Sequence, residues 1–589
     1  MIKNVFTATV LLLFPASALT PSTAADFNTR INEALSQTEK WPGLIRSDLG
    51  VTRRGTKIPC LITADDLDYN TKKTRILIVG LETLPAPVET TLNALQWFYT
   101  TDEAKPYRET FALSAVPIAN PDGWASRIVA GNLSGGDPAR SYPPKGTAYN
   151  SPTDPEAAYL WRWIGMHAPD LVISLGSGST PMMFVPEKGG PQLQPLRRLG
   201  VKLPESSGLV SQLVKQKPAN VGTVPAIRID TSRRGLPHWL RLIMDSGFSG
   251  PSAARQELQR RLARTPIEVA SQLSQRYGHD LSTVAYIPAL ALIGRIRLGA
   301  LTDDPSHLAN VEKIVAPYFN GDQPTFGKRV GGSSLSGHLV FGELARFTEK
   351  KRYVELAKAA ADLGFDENGH PKQSMPFHNE MSDAVFMGTP ILVQVGRLTG
   401  QPKYYDMALK HMRFMLKLNL RKDGLHRHSP LDETAWGRGN GFPALGLTLS
   451  LSDLPQDHAG RGEMLREFRG HLAALVKHQD PTGMWHQVVD HTGSYRELSC
   501  TCMITFAMIR GVRCGWLDEK TYRPILEKSF QAVLARIAAD GTLVDVCTGT
   551  GKQQDLRAYL DRTAILGPDP RGGAMSLLMT AEMAAASGE

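Results

Sequence analysis

The 589-residue chain is short of cysteine and aromatics, and past its first 25 residues it has no apolar run long enough to cross a bilayer. Each shortage excludes a class of protein. Five cysteines in a chain of this length cannot build a dense disulfide framework, and the odd count leaves at least one unpaired. Cys500 and Cys502 stand two apart, a spacing that suits neither a zinc site nor a bridge, and Cys60, Cys514 and Cys547 stand singly. All five read as small buried apolar residues. A bilayer-spanning helix needs about 20 apolar residues. The apolar run from Val5 to Phe14 falls well short of that, and it lies between Lys3 and the small residues Ala16, Ala18, Ala24 and Ala25. That is the pattern of a secretory signal peptide over residues 1–25, so the expectation is export, to periplasm or medium, with no membrane span.

Also missing is any Lys/Arg run longer than three, although the formal net charge is +9. Scattered positive charge implies a mild attraction to polyanions and gives no sign of a nucleic-acid partner. For an exported protein, acidic polysaccharide is a natural polyanion.

What is present divides into two halves. From about Asp26 to Gly278 short apolar runs such as Thr74 to Leu81 and Leu171 to Leu175 alternate with helical spacing such as Val88 to Tyr99. This predicts an α/β sandwich on a mostly parallel sheet. From about Val284 onward the predicted elements are helices: Ser334 to Leu363, Ala384 to Arg397, Tyr404 to Lys417, Gly462 to His478 and Ser499 to Arg513, each closed by Gly, Pro or Asn. Roughly 300 residues hold about a dozen helices at ~25 residues per helix and its connection, with no convincing strand pair, which favours an α-helical toroid. The Gly/Ser-rich stretch Gly331 to Gly337 reads as a loop at its mouth. The expected organisation is a signal peptide (1–25), an α/β domain (26–280) and an all-α domain (281–589).

Chemistry concentrates in Gly424 to Gly441, which holds His426, His428, Trp436, Arg438 and several glycines. A tryptophan can lie on a sugar face and an arginine can grip a carboxylate with a planar fork, while glycines let backbone approach a ligand closely. These are the parts of an acidic-sugar pocket. A packed corner of a helical domain is the alternative from composition alone.

Val116 to Gly123 (V-P-I-A-N-P-D-G), Gly136 to Pro143 and Pro169 to Leu175, in that order, resemble the zinc carboxypeptidase family over about 150 residues. That family holds zinc with a His-x-x-Glu pair after one strand and a His after a later one. Here those places read Gly80-Leu81-Glu82-Thr83-Leu84 and Gly176-Ser177, without an imidazole. Arg140 stands where the family grips the substrate carboxylate, beside Ala139 in place of the usual Asn. The resemblance therefore implies a metal-free relative used for support or binding, with no cofactor, and an active metallocarboxypeptidase with relocated ligands as the remote alternative.

The second half carries H-N-E-M-S-D-A-V-F-M-G-T-P (His378 to Pro390), then the His428 and Trp436 to Phe442 segments, then G-M-W-H-Q-V-V-D (Gly483 to Asp490) and G-V-R-C-G-W-L-D (Gly511 to Asp518). In this order they resemble glycoside hydrolase family 105, related to family 88. The resemblance implies an (α/α)6 barrel and hydrolysis of the unsaturated uronic acid at the non-reducing end of lyase-generated oligosaccharides. Hydration of its C4=C5 vinyl ether replaces the two-carboxylate displacement of most glycosidases.

Asp383 falls at the position of the family's catalytic aspartate. A carboxyl that donates a proton near neutral pH needs its pKa raised, which burial against Met381, Phe386 and Met387 would supply. A helix cap is the alternative role. His428, Trp436 and Arg438 match pocket residues, while His378, His426 and Trp485 are further candidates for lining it, with barrel packing as the alternative for Trp485. Where the family carries a second acidic residue early in the barrel, Val330 to Gly342 has none. That departure favours the rival reading, a non-catalytic protein that binds acidic glycans. Oligomeric state stays open.

Overall fold

The computed structural model describes residues 32–588 apart from 34, 37, 39, 81–86, 127, 129, 130, 141, 147, 148, 177–179, 205, 207, 232–234 and 329. The expected signal peptide lies outside the described residues.

The first half is built on an eight-stranded sheet in the order β1-β2-β4-β3-β5-β8-β6-β7. The strands are β1 Leu44–Val51, β2 Lys57–Thr63, β3 Thr74–Gly80, β4 Phe111–Val116, β5 Leu171–Gly176, β6 Met182–Val185, β7 Val201–Lys202 and β8 Ala226–Asp230. The central four, β4-β3-β5-β8, are parallel, with Ile78 opposite Ala115 on one side and Ile173 on the other. Their residues are buried almost throughout, because helices such as Pro87–Thr100 and Pro155–His167 cover the faces and leave no wet side.

In the second half six inner helices form a closed ring: Tyr286–Leu301, Gly332–Gly337 with its continuation Leu339–Thr348, Ala384–Thr399, Gly437–Asp453, Leu498–Arg513 and Pro570–Ser587. Each packs on the next and the last packs on the first. Outside them lie Pro266–Ser274, Pro305–Asn320, Lys351–Ala361, Pro402–Asn419, Arg461–Val476 and Glu519–Leu534. The result is a toroid of two concentric rings of six.

Four outer helices end in the same turn. Gly369, Gly424, Gly483 and Gly541 each have φ between +76° and +94°, and their N–H groups donate to the carbonyls of Asp366, Arg421, Asp480 and Ala538, three residues back. Left-handed backbone costs glycine nothing, so each turn sends the chain back toward the ring centre.

Several expectations need correction. Gly332–Gly337 is a short inner helix and no loop. The predicted single helix from Ser334 to Leu363 is three, broken at His338 and at Glu349, whose φ is +56°. The helical half does contain a strand pair, β9 Leu543–Cys547 with β10 Ala564–Gly567. Packing puts Pro266–Ser274 against the last inner helix, so the toroid begins before the expected boundary at 280. The five cysteines are free, and all but Cys514 are buried.

The halves meet across a polar and aromatic seam on the toroid's mouth. Arg162 Nη1 lies 2.6 Å from Asp545 Oδ1, and Tyr149 donates to the same carboxylate at 3.2 Å. Tyr149 also stacks on Tyr495 with ring centroids 5.0 Å apart. Trp436, Tyr495 and Tyr559 of the toroid belong to the same buried apolar cluster as the sheet.

Candidate active site

The inner helices open toward the mouth at their N-termini, and the candidate residues sit there. Asp383 is the residue before Ala384–Thr399, and Trp436 the residue before Gly437–Asp453. Ser382 N–H donates to His428 O at 2.9 Å, joining these two parts of the mouth. Asn440 ties the third: its amide donates to His426 O and Trp436 O, both at 2.9 Å, and its Oδ1 accepts from His426 N–H. His411 braces Asp383 from behind. Its Nδ1 accepts from Met375 N–H at 3.1 Å, which leaves Nε2–H to donate to Ala384 O at 2.8 Å. Burial pushes this imidazole down to about 4, so it stays neutral in that tautomer.

Asp383 Oδ1 lies 3.4 Å from His428 Nε2. The His428 ring is 4.4 Å from that of Trp436, and the Arg438 guanidinium stands 4.9 Å over the Trp436 ring. Tyr559 completes the group, with its hydroxyl 2.9 Å from His428 Nδ1. The same oxygen accepts from Gln553 N–H at 3.2 Å, so the phenolic proton goes to Nδ1 and the imidazole turns Nε2–H toward Asp383. Burial pushes the phenol up to about 12, so it remains a donor through neutral pH.

All of these residues are buried, yet Ser382 Oγ, Asp383 Oδ1, His428 Nε2, Trp436 Nε1 and Arg438 Nε have no hydrogen-bond partner. A buried polar atom without a partner costs about 1–3 kcal/mol. Asp383 Oδ1 and His428 Nε2 face each other at 3.4 Å, and with the other three they mark where a polar ligand belongs.

The remaining sequence candidates scatter. His378 has φ +51° and lies against Gly332, where a Cβ would come within 2.6 Å of its ring, so it is at the mouth. His426 is buried and packed edge-on against His471, with ring centroids 4.7 Å apart, and neither of its ring nitrogens has a hydrogen-bond partner. Trp485 is in the toroid core, its indole N–H donating to Leu475 O at 2.8 Å, because the apolar ring gains more there than at a wet mouth. Arg438 faces the site, but its fork is occupied: Nη1 and Nη2 donate to Cys547 O and Thr548 O at 2.7 and 2.6 Å. It anchors the segment that crosses the mouth, where Lys552 also pairs with Glu380. The glycines serve packing: side chains at Gly437 and Gly439 would press on His486 O and Ser382 Oγ.

Sequence reasoning missed Tyr559, His411 and Asn440. Tyr559 carries no sequence signal, since it arrives from more than a hundred residues away. Glu497 spends both oxygens on Ser499, Cys500 and Cys547 as a helix cap. Among the described residues no group of three His, Cys, Asp or Glu is arranged to hold a metal.

Where the carboxypeptidase resemblance would put zinc, residues 81–84 and Ser177 lie outside the described residues, and only Gly80 and Gly176 are described. A side chain at Gly80 would collide with Pro117 O, and one at Gly176 with the Arg228–Asp230 pair. Arg140 lies on the surface beside Asp137.

Residues 258–586, more than half of the chain, match Glycosyl Hydrolase Family 88. The chain belongs to glycosyl hydrolase family 88. It is a glycosidase. An unsaturated 3S-rhamnoglycuronyl hydrolase of Formosa agariphila is 31% identical over 173 residues, which is 26% of this chain and 45% of that protein. The unsaturated rhamnogalacturonyl hydrolase YesR of Bacillus subtilis is 26% identical over 188 residues, 30% of this chain and 52% of its own length. The match thus spans about half of each of these hydrolases. Among solved structures, a family 105 glycoside hydrolase of C. acetobutylicum aligns with a TM-score of 0.48 at 20% identity, over 54% of this chain and 98% of its own.

Proposed function

We propose that this family 88 member is an exported hydrolase that removes an unsaturated uronic acid from the non-reducing end of lyase-generated oligosaccharides of pectic or rhamnogalacturonan type, with Asp383 as its general acid and base. The observation that carries the reading is the cluster of five buried, unpartnered polar atoms centred on Asp383. Stacking on Trp436 suits a sugar ring. The names of the Formosa and Bacillus relatives support the substrate class.

In this reading Asp383 gives its proton to C4 of the vinyl ether, and water adds to C5 while its proton returns to Asp383. The hemiketal then opens, the C5–ring oxygen bond breaking to leave a C5 ketone and a C1 hemiacetal that releases the next sugar. One water is consumed and the carboxyl is regenerated. His428, with Nε2–H directed at Asp383 by Tyr559, stands in the place of a second carboxylate. The sheet domain, read as a metal-free carboxypeptidase relative, walls the mouth. The first 25 residues support export.

The test follows the ultraviolet absorbance of the conjugated uronate in lyase-generated oligosaccharides. The wild type should bleach it, and Asp383→Asn should do so at least ~100-fold more slowly, the usual scale of acid–base catalysis. Equal rates in the two proteins would remove Asp383 from this role.

A further inference from the structure

Between the sheet domain and the toroid lies a second cavity of about 370 Å³, lined by residues of both halves and by none of the group around Asp383. Its volume is in the range of small-molecule sites. Tyr69, Tyr149, Trp163 and Tyr495 give it aromatic walls. Three guanidiniums line it, and two have clear partners: Arg162 is paired with Asp545 at 2.6 Å and Arg496 with Asp480 at 2.7 Å. Asp66, also in the wall, lies 3.6 Å from Arg75.

Arg536 is different. It is 4% exposed, and it takes part in no ion pair among the described residues. Its Nη1 reaches only Ala532 O, in the helix just before it, at 3.3 Å, and its Nε has no partner. The carboxylate whose charge reaches it is Asp545, which is already bonded to Arg162 and Tyr149; burial without a direct partner is unfavourable and lowers the basicity of this group. An anion is what the site lacks. Lys528 and Asp68 also line the cavity and offset each other, so with the pairs above the excess is one positive charge, and a planar carboxylate matches a guanidinium edge with two parallel hydrogen bonds.

We propose that this interdomain cavity is a second ligand site that takes a free uronic acid, its carboxylate on Arg536 and its ring against the aromatic wall. The assignment of the ring as a sugar acid rests on the hydrolase reading above, while the carboxylate on Arg536 stands without it. A site for a monosaccharide acid apart from the reacting group would let product or a related sugar acid occupy the seam between the halves.

Titration calorimetry on the full chain tests this, with galacturonate and glucuronate as probes and methyl galactoside and inorganic phosphate as controls. Wild type should bind a uronate at one more site per chain than Arg536→Met. Arg536→Lys keeps the charge but loses the fork, and should bind at that site at least ~10-fold more weakly; it decides the matter if the methionine variant does not fold. Without ligand, Arg536→Met should melt at or above the wild-type temperature, since it removes an unpaired charge. Loss of melting temperature with unchanged uronate stoichiometry would make Arg536 a structural residue and overturn the proposal. Binding of phosphate but not uronate would overturn the ligand assignment. Arg536-dependent uronate binding by a protein that leaves unsaturated oligosaccharides untouched would sustain this site and sink the hydrolase reading instead.

Discussion

The mouth of the toroid and the seam beside it are built from the same residue types and resolve their polarity in opposite ways. Along the seam Asp545 takes Arg162 and Tyr149, and Asp480 takes Arg496, His486 and Ser47, so that both carboxylates are matched within the protein, while Arg536 Nε and Tyr495 Oη are not. Around Asp383 the side chains are as buried but leave five polar atoms unmatched. Burial alone therefore distinguishes nothing here; the hydrogen-bond balance does. A matched buried network holds a structure together, whereas an unmatched one is kept for something that comes and goes.

The contrast can be broken most sharply at Asp545. Asp545→Asn leaves Arg162 buried without its counter-charge and should cost about 3–5 kcal/mol of stability in denaturant unfolding. Asp383→Asn, expected to slow turnover at least ~100-fold, should cost almost none. Equal losses would show that the mouth is as self-satisfied as the seam.

A second test lies within the sheet domain. Burial raises Glu156 from its ordinary 4.5 to about 7, against the hydrogen bond it accepts from Asn132 at 2.8 Å. A carboxyl whose folded pKa is raised gives its full stability below about pH 4.5 and loses it as pH rises to about 7. The shift corresponds to about 3 kcal/mol. Glu156→Gln, which cannot ionise, should match wild type at pH 4 and exceed it by up to that amount at pH 8. A pH-independent difference between the two would show that Glu156 is not held neutral.

The smallest effect sharpens the site itself. Tyr559→Phe removes the donor that fixes the His428 tautomer and should lower kcat about tenfold, roughly 1.4 kcal/mol, with KM little changed. The pH profile should move as well, because His428 is then free to turn either nitrogen to Asp383. A purely structural Tyr559 would lower stability and leave the profile in place.

Much of this was legible in the sequence. The parallel strands were visible as short apolar runs, since strands covered on both faces must be apolar throughout, and most inner and outer helices were visible from spacing. The toroid could have been read from a further signal: the turn glycines 369, 424, 483 and 541 recur at 55, 59 and 58 residues, one helix pair apart. Asp383, His428, Trp436 and Arg438 do come together. Less legible was what each side chain does there. Arg438 spends its fork on Cys547 O and Thr548 O, and Trp485 turns into the core.

The sequence by itself determined the two halves and their element types, because burial patterns and turn glycines are local and additive along the chain, while the residues that gather at the mouth were implied by the family resemblance. Tertiary structure alone decided which polar atoms are satisfied. Tyr559 finds His428, Asp545 finds Arg162, and Arg536 makes no close ion pair among the described residues, and each of these outcomes depends on which segments far apart in the chain meet at hydrogen-bond distance.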